Sequence, residues 1–545
     1  MRAYILLTIL LSVGLITATQ AQSTRDASVI IGRDVLLPSD AAAPKTQSVS
    51  VATTVTDAGV ETAATDSNGL FIGGVNLQGA ENLDRAAYAI VIDNYVGRTI
   101  TRDQLPKLAR ALADRAREQG YIFASAIVPV QSVAQGVVTV AIDQGSVSEV
   151  RLVGTTNRKV RMLIKGIVGD SVRKETVERQ LLLAGDVPGI TVVGTRYSRE
   201  NGRGILTVTV KEDKASGAII ADNFGSRAFG PVRVRLETEQ SSLFADGDSL
   251  TTQILATPAD PRELIFTSAR YAVPINNAGT SLALAVASGR TQPDGGDLTG
   301  RTRYAAISAN HPIVRANAAS LWVNAEIAYL KVDVDLLGLL AQRDEIVTFS
   351  LSASGNVRFA GGRITGGLGF VQGLPVAGTT GETDILSSRI GADNDFTKVQ
   401  AWLSWNRDLG NGFGLYLAAN GQIASAPLFA SQELGLGGPA AGRGYNFSER
   451  FGDSGVMGSI ELRKVFTDSL PLVDWVRVYG FADGGYVYNL RSGFGGGALA
   501  SAGGGVRTGF GRAEFGIETA FPITDPRFEG NTTAPRVNLS AGYRF

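Results

Sequence analysis

From about Lys214 to the last residue, apolar and polar residues alternate with a period of two, and no other feature constrains the fold of this chain as strongly. Val232, Val234, Leu236 and Thr238 alternate with Arg233, Arg235, Glu237 and Glu239, and Phe515, Ile517, Thr519 and Phe521 follow the same period. The final segment sets Val537, Leu539, Ala541, Tyr543 and Phe545 against Asn538, Ser540, Gly542 and Arg544. A strand charged on one face needs water there and apolar material on the other. In a soluble sandwich the apolar face meets a second sheet; in a membrane barrel it meets lipid, and the charged face lines a polar lumen. Two observations favour the barrel. The polar faces are crowded with charge, and Tyr543 and Phe545 end the chain on an aromatic, amphipathic strand typical of outer-membrane barrels. Closure satisfies every backbone group, so weakly hydrophobic strands can span a bilayer. Dividing the roughly 330 residues of 213–545 by ~21 per strand and loop predicts an all-β barrel of about 16 antiparallel strands. The 66 glycines concentrate after residue 215 without a collagen period, which marks turns, bulges and close backbone approach.

The N-terminal side reads differently. Arg2, the apolar run Ile5 to Ile16 and Thr19-Gln20-Ala21 form a secretory signal over 1–21, too short to span a membrane as a helix. Residues 22–69, rich in Ala, Ser, Thr and Asp, read as a linker or mobile segment, with a plug helix left open. An α+β module is expected over 70–145: a strand from Phe71 to Leu77, a capping box at Thr101 and Gln104, and a helix with Leu105, Leu108, Leu112 and Ala116 on one stripe. Gly120 ends that helix, and strand-like runs from Tyr121 to Val130 and Val137 to Ile142 follow, split by a turn near Gln135-Gly136. A second module of similar plan covers 146–212, with a strand at Val150 to Val153 and a helix from Glu175 to Leu183 ended by Gly185. Strands at Ile190 to Val193 and Ile205 to Val210 complete it.

Composition excludes several functions. Fifty-one basic and 51 acidic residues leave no nucleic-acid footprint. With no cysteine and one histidine, His311, a zinc site or a His-based triad has too few donors. Gly452-Asp453-Ser454-Gly455 resembles the nucleophile segment of trypsin-like proteases, but no histidine stands in a matching context. Gly437 to Gly442 begins like a phosphate-binding loop, yet Arg443-Gly444 stands where Lys-Ser/Thr is required, and a flexible loop is expected. No catalytic residue, metal or cofactor is therefore assigned, and the chain is not read as an enzyme.

Three stretches together resemble the two-partner secretion transporters, the haemolysin- and haemagglutinin-type secretion/activation proteins. Gly120-Tyr121-Ile122-Phe123-Ala124-Ser125-Ala126-Ile127-Val128-Pro129-Val130-Gln131 looks like the first-domain signature, and Glu178 to Gly189 is similar to the helix and turn of the second. Gly442-Arg443-Gly444-Tyr445 resembles a motif at the tip of a lumen-inserted loop, with Gly442 where Val or Ile is usual; Phe481-x-Asp483-x-Gly485 resembles the strand whose aspartate pairs with that arginine. On the residues alone, Asp483 shares an inward face with Arg477, Tyr479 and Phe481; that Arg443 meets it, in a bidentate bond, is what the two motifs together imply. The resemblance implies two polypeptide-transport-associated (POTRA) domains in the periplasm and a barrel in the bacterial outer membrane. It also implies a secreted partner polypeptide, contact with outer-membrane lipid, and insertion by the barrel-assembly machinery. An assembly factor for other barrels is the alternative, set back by having only two N-terminal modules.

Overall fold

The computed structural model describes residues 52–53 and 69–545, apart from 82, 132, 134–135, 226–228, 294–296, 471–472 and 492. The expected signal, most of the 22–69 segment and part of the turn at Gln135 lie outside these residues.

In the first module, Gly74–Gln78 lies parallel to Val137–Asp143, which pairs on its other side with Ser125–Ile127. A separate pair joins Leu70–Ile72 to Arg98–Ile100. Leu105–Glu118 is the expected helix, with Leu105, Leu108, Leu112 and Ala116 buried and proline in its first turn, where a missing N–H costs nothing. A helix at Arg85–Ile92, capped by Asp84 accepting from the Ala86 amide at 3.0 Å, has no counterpart in the sequence reading. Its run of apolar residues shows no clear helical period. The strand expected from Tyr121 to Val130 shrinks to Ser125–Ile127 because the aromatic rings before it pack instead. Phe123 stacks on Tyr197 of the second module with centroids 4.2 Å apart, and Arg173 lies over the Tyr121 ring at 5.0 Å. The signature around Gly120 thus joins the two modules.

In the second module, Arg203–Glu212 lies between Glu149–Val153, parallel, and Ile190–Glu200, antiparallel. Ala52–Thr53 adds a parallel pairing on the outer edge, at Arg196 and Tyr197. A helix at Arg158–Lys165 was not anticipated. The main helix runs Lys174–Asp186, through Gly185 rather than ending there. Pro188 sets the stop, since it bars its predecessor from the helical region, and Val187 is extended at φ −60, ψ 127.

Sixteen antiparallel strands, from Ala215–Asp222 to Arg536–Arg544, form a closed barrel; first and last pair from Ala218↔Arg544 to Asp222↔Ser540. The expected parity holds. Phe515, Ile517 and Phe521 point outward, half exposed, while Glu518 and Ala520 are buried inside. His311 lies in strand Leu298–Arg315, its Nδ1 2.8 Å from Thr280 Oγ1. The glycine run 493–505 divides: it crosses into a regular strand at Gly497–Phe510. There Gly503 and Gly505 face Phe481 and Tyr479 across the ladder, where a Cβ would lie 2.9 Å and 2.6 Å from those side chains. Glycine makes room for two inward rings.

Candidate functional site

Between strands Phe413–Ala424 and Ser454–Leu470 the chain makes its long inserted loop. The loop carries its own hairpin, Leu434–Leu436 against Arg450–Gly452, which pairs that part of its backbone within the loop. Leu434, Leu436, Ala441 and Tyr445 form a buried cluster with Met457, Val487 and Leu499 of the barrel strands. The span 437–442, expected to be flexible, is a closed turn: the Gly437 amide donates to Ala441 O at 3.0 Å and the Gly438 amide to Gly442 O at 3.1 Å.

Gly442 sits at φ +85, where a β-branched residue is heavily disfavoured, so the departure from Val or Ile matches the backbone here. Gly444 passes so close to strand Ala513–Pro522 that a Cβ would fall 2.8 Å from Pro522 N. Tyr445 is fully buried, its hydroxyl 2.9 Å from Thr524 Oγ1 and accepting from the Thr524 and Asp525 amides. These contacts fix the loop tip on both sides of Arg443.

Arg443, 8% exposed, meets three carboxylates rather than one. Nη1 donates to Glu461 at 3.1 Å and to Glu518 at 2.9 Å, and Nη2 donates to Ser459 Oγ at 3.1 Å. The expected bidentate bond to Asp483 is not formed. Nε lies 3.1 Å from Asp483 Oδ2, but neither atom has a properly directed hydrogen bond, so this contact is Coulombic. Asp483 holds the loop through backbone instead: its Oδ1 accepts from the Gly442 and Arg443 amides at 2.8 and 3.3 Å and from the Ser501 hydroxyl. The guanidinium also lies over the Phe481 ring, 4.0 Å from its centroid.

A shell surrounds this centre. Glu461 is shared with Arg463 at 2.5 Å and Arg507 at 3.8 Å; Glu518 accepts from the Tyr479 hydroxyl at 2.9 Å and from Asn538 Nδ2 at 3.0 Å. Three guanidiniums thus face three carboxylates, and burial is matched by opposite charge. Gly485, the last motif position, packs where a Cβ would lie 2.5 Å from Val456 O, keeping the neighbouring strand close. Tyr543 and Phe545 lie elsewhere, half exposed on the outer face, where Phe545 exchanges backbone hydrogen bonds with Gly217 at 3.0 and 3.1 Å.

Sequence reasoning identified Arg443, Asp483 and Phe481 but assigned no role to Ser459, Ser501, Glu518 or Asn538. Period-two parity places each inward; that they converge on Arg443 depends on the register of five adjacent strands.

A closed sixteen-strand barrel with an ion-paired loop inside it, preceded by small α+β modules, defines an outer-membrane transporter barrel with periplasmic N-terminal domains. The model of the haemolysin secretion/activation protein family ShlB/FhaC/HecB matches residues 202–508, and the ShlB-type POTRA domain matches residues 70–145. The chain belongs to this family, and it is a two-partner secretion transporter. It is 25% identical over 426 residues, 74% of each chain, to the heme/hemopexin transporter protein HuxB of Haemophilus influenzae. Its fold is similar to that of CdiB from Escherichia coli, with a TM-score of 0.70, 18% identity and 96% of each chain covered. It is also similar to BamA from Haemophilus ducreyi lacking POTRA domains 1–3, with a TM-score of 0.53, 15% identity, and 88% of this chain and 100% of that one covered.

Proposed function

We propose that the Arg443 centre is the working part of the barrel: it sets how deeply the inserted loop sits and so shapes the passage for the exported chain. The carrying observation is the convergence of Glu461, Asp483 and Glu518 on one buried guanidinium borne by a loop rather than a strand. A strand arginine would balance the lumen charge equally well. Placing the cation on the loop makes docking and charge balance one event.

The same proposal makes 146–212 a second POTRA domain, from its repeat of the strand, two helices and sheet of the first. The two modules receive an unfolded exoprotein by adding an extended segment to a strand edge. The barrel rests in outer-membrane lipid through the aliphatic and aromatic residues of its outward parity, and Tyr543 and Phe545 serve as the terminal signal read by the barrel-assembly machinery. The chain carries out no catalysis; partner folding outside supplies the direction of movement. Deleting the gene and comparing secreted proteins tests this reading. Loss of one large exoprotein supports it, and a general loss of outer-membrane barrels contradicts it.

A further inference from the structure

A second buried ionic centre lies among the long connections at the barrel's outer rim. Connections 374–396 and 425–453 turn inward there: Ala392 and Phe396 of one, with Leu428 and Phe429 of the other, join the lumen-facing Leu330, Val332, Val334 and Ile346 in one buried apolar cluster. The Phe396 and Phe429 rings meet edge to face, 6.4 Å apart. Beside this cluster Arg389, its side chain 6% exposed, donates through Nη1 to Glu433 and Asp453 at 2.6 Å each and to Asn489 Oδ1 at 2.9 Å. Its Nη2 donates to Leu490 O at 2.8 Å. Asp453, fully buried, also accepts the Leu428 and Leu490 amides at 2.7 Å each. One guanidinium and one carboxylate therefore tie together three separate connections, those holding Arg389, Leu428 with Glu433, and Asn489 with Leu490.

This arrangement accounts for the Gly452-Asp453-Ser454-Gly455 segment without protease chemistry. Asp453 is the hub, and Ser454 Oγ accepts the Ala424 amide at 3.0 Å, fixing the root of the inserted loop.

We propose that the Arg389–Asp453 clasp and its apolar seal are a gate that closes the outer mouth of the barrel at rest and must open for each exported chain. Ion pairs suit a latch of this kind. Buried together they demand one geometry, because parting them inside the protein leaves unpaired charge. When the Arg389 connection swings outward, its guanidinium regains hydration and water reaches Asp453, which keeps the Leu428 and Leu490 amides, so opening costs far less than breaking the same pair in a sealed core. The inserted loop is held at two places, by Arg443 in the lumen and by Asp453 and Glu433 at the mouth, so its outer arm can release while its tip stays docked.

The chain has no cysteine, which makes a tether straightforward to read. The Ala430 amide donates to Ser388 Oγ at 3.0 Å, so Ser388→Cys with Ala430→Cys joins the two inward connections. Oxidised, this variant should secrete its exoprotein at least about tenfold more slowly than either single variant, and recover on reduction, as expected for an equilibrium locked in one state. In planar bilayers Arg389→Ala should raise ion conductance by a similar factor. Normal secretion from the fully oxidised pair overturns the gate, and so does unchanged conductance from an assembled Arg389→Ala barrel. If Arg389→Ala does not assemble, the tether decides. The secretion arm rests on the reading that the exported chain passes through this barrel and the conductance arm does not: a wild-type barrel whose exported chain never enters its lumen, with an alanine variant that conducts more, removes that reading and leaves the gate.

Discussion

Replacing Arg443 with alanine removes the cation from a site where three carboxylates lie within 3.1 Å of the guanidinium. Breaking a buried ion pair by deleting one partner costs about 3–5 kcal/mol. The lower end applies here, because each carboxylate keeps another partner. Glu461 retains Arg463 at 2.5 Å, Glu518 retains the Tyr479 hydroxyl and Asn538, and Asp483 retains Ser501. The loss falls on loop docking rather than on the barrel, whose strands keep their backbone ladders. At about 1.4 kcal/mol per factor of ten, ~3 kcal/mol shifts the docked loop about a hundredfold toward release. Arg443→Ala should therefore yield barrels that fold and insert, shown by the usual shift in gel mobility on heating. Residues 434–452 should become open to protease, and secretion should fall. Arg443→Lys should fall between, since one ammonium nitrogen can stand in for Nη1 between Glu461 and Glu518 but cannot also fill the Nη2 place at Ser459 and the Nε place at Asp483. An alanine variant with wild-type secretion and a protease-resistant loop would refute the reasoning.

Other outcomes follow from the same geometry. Asp483→Ala removes the acceptor of the Gly442 and Arg443 amides and should impair secretion as much as Arg443→Ala, with barrel insertion retained in a membrane-fraction assay. Gly444→Val brings a side chain against Pro522 and Phe521 and should expose the loop to the same protease without altering any charge. Gly505→Leu, which intrudes on the Tyr479 hydroxyl, should lower the thermal stability of the purified barrel by about 1–3 kcal/mol, read from denaturant midpoints. In the turn 242–248, burial pushes the Asp248 carboxyl up, but the Tyr271 hydroxyl and the Phe244, Ala245 and Leu243 amides outweigh it and hold it below its usual range. A depressed carboxyl stabilises above its unfolded pKa and loses that stabilisation as pH falls through the folded value. The turn should thus resist cleavage at Phe244 at neutral pH and weaken only below about 3.9. Asp248→Asn should be cleaved at every pH.

The barrel was legible because its period of two reports a face at each residue, and lipid on one side leaves that face unambiguous from Phe515 to Phe521 and from Val537 to Phe545. Helix Arg85–Ile92 was not legible, because it is apolar on nearly every side and shows no clear 3.6 period. Helix Arg158–Lys165 was legible but missed: Val160, Leu163 and Ile164 recur at helical spacing among basic residues, behind the Asn157 cap. The Arg443–Asp483 partnership could be named from motifs, but not its form. Glu518 is 75 residues from Arg443 in sequence, and only the register of the last five strands brings it to Nη1. The same holds for Arg389 and Asp453, 64 residues apart on two connections whose sequences carry no periodic signal.

The central claim is that the exported polypeptide travels through the lumen of this barrel. A photoreactive amino acid at Tyr304, which faces inward beside Glu326, and another at Ile307, which faces outward on the same strand, test it directly. With a partner chain arrested in mid-export, the account predicts strong crosslinks to that chain from position 304 and none from 307. Crosslinks from 307 alone would place the route outside the lumen and contradict it.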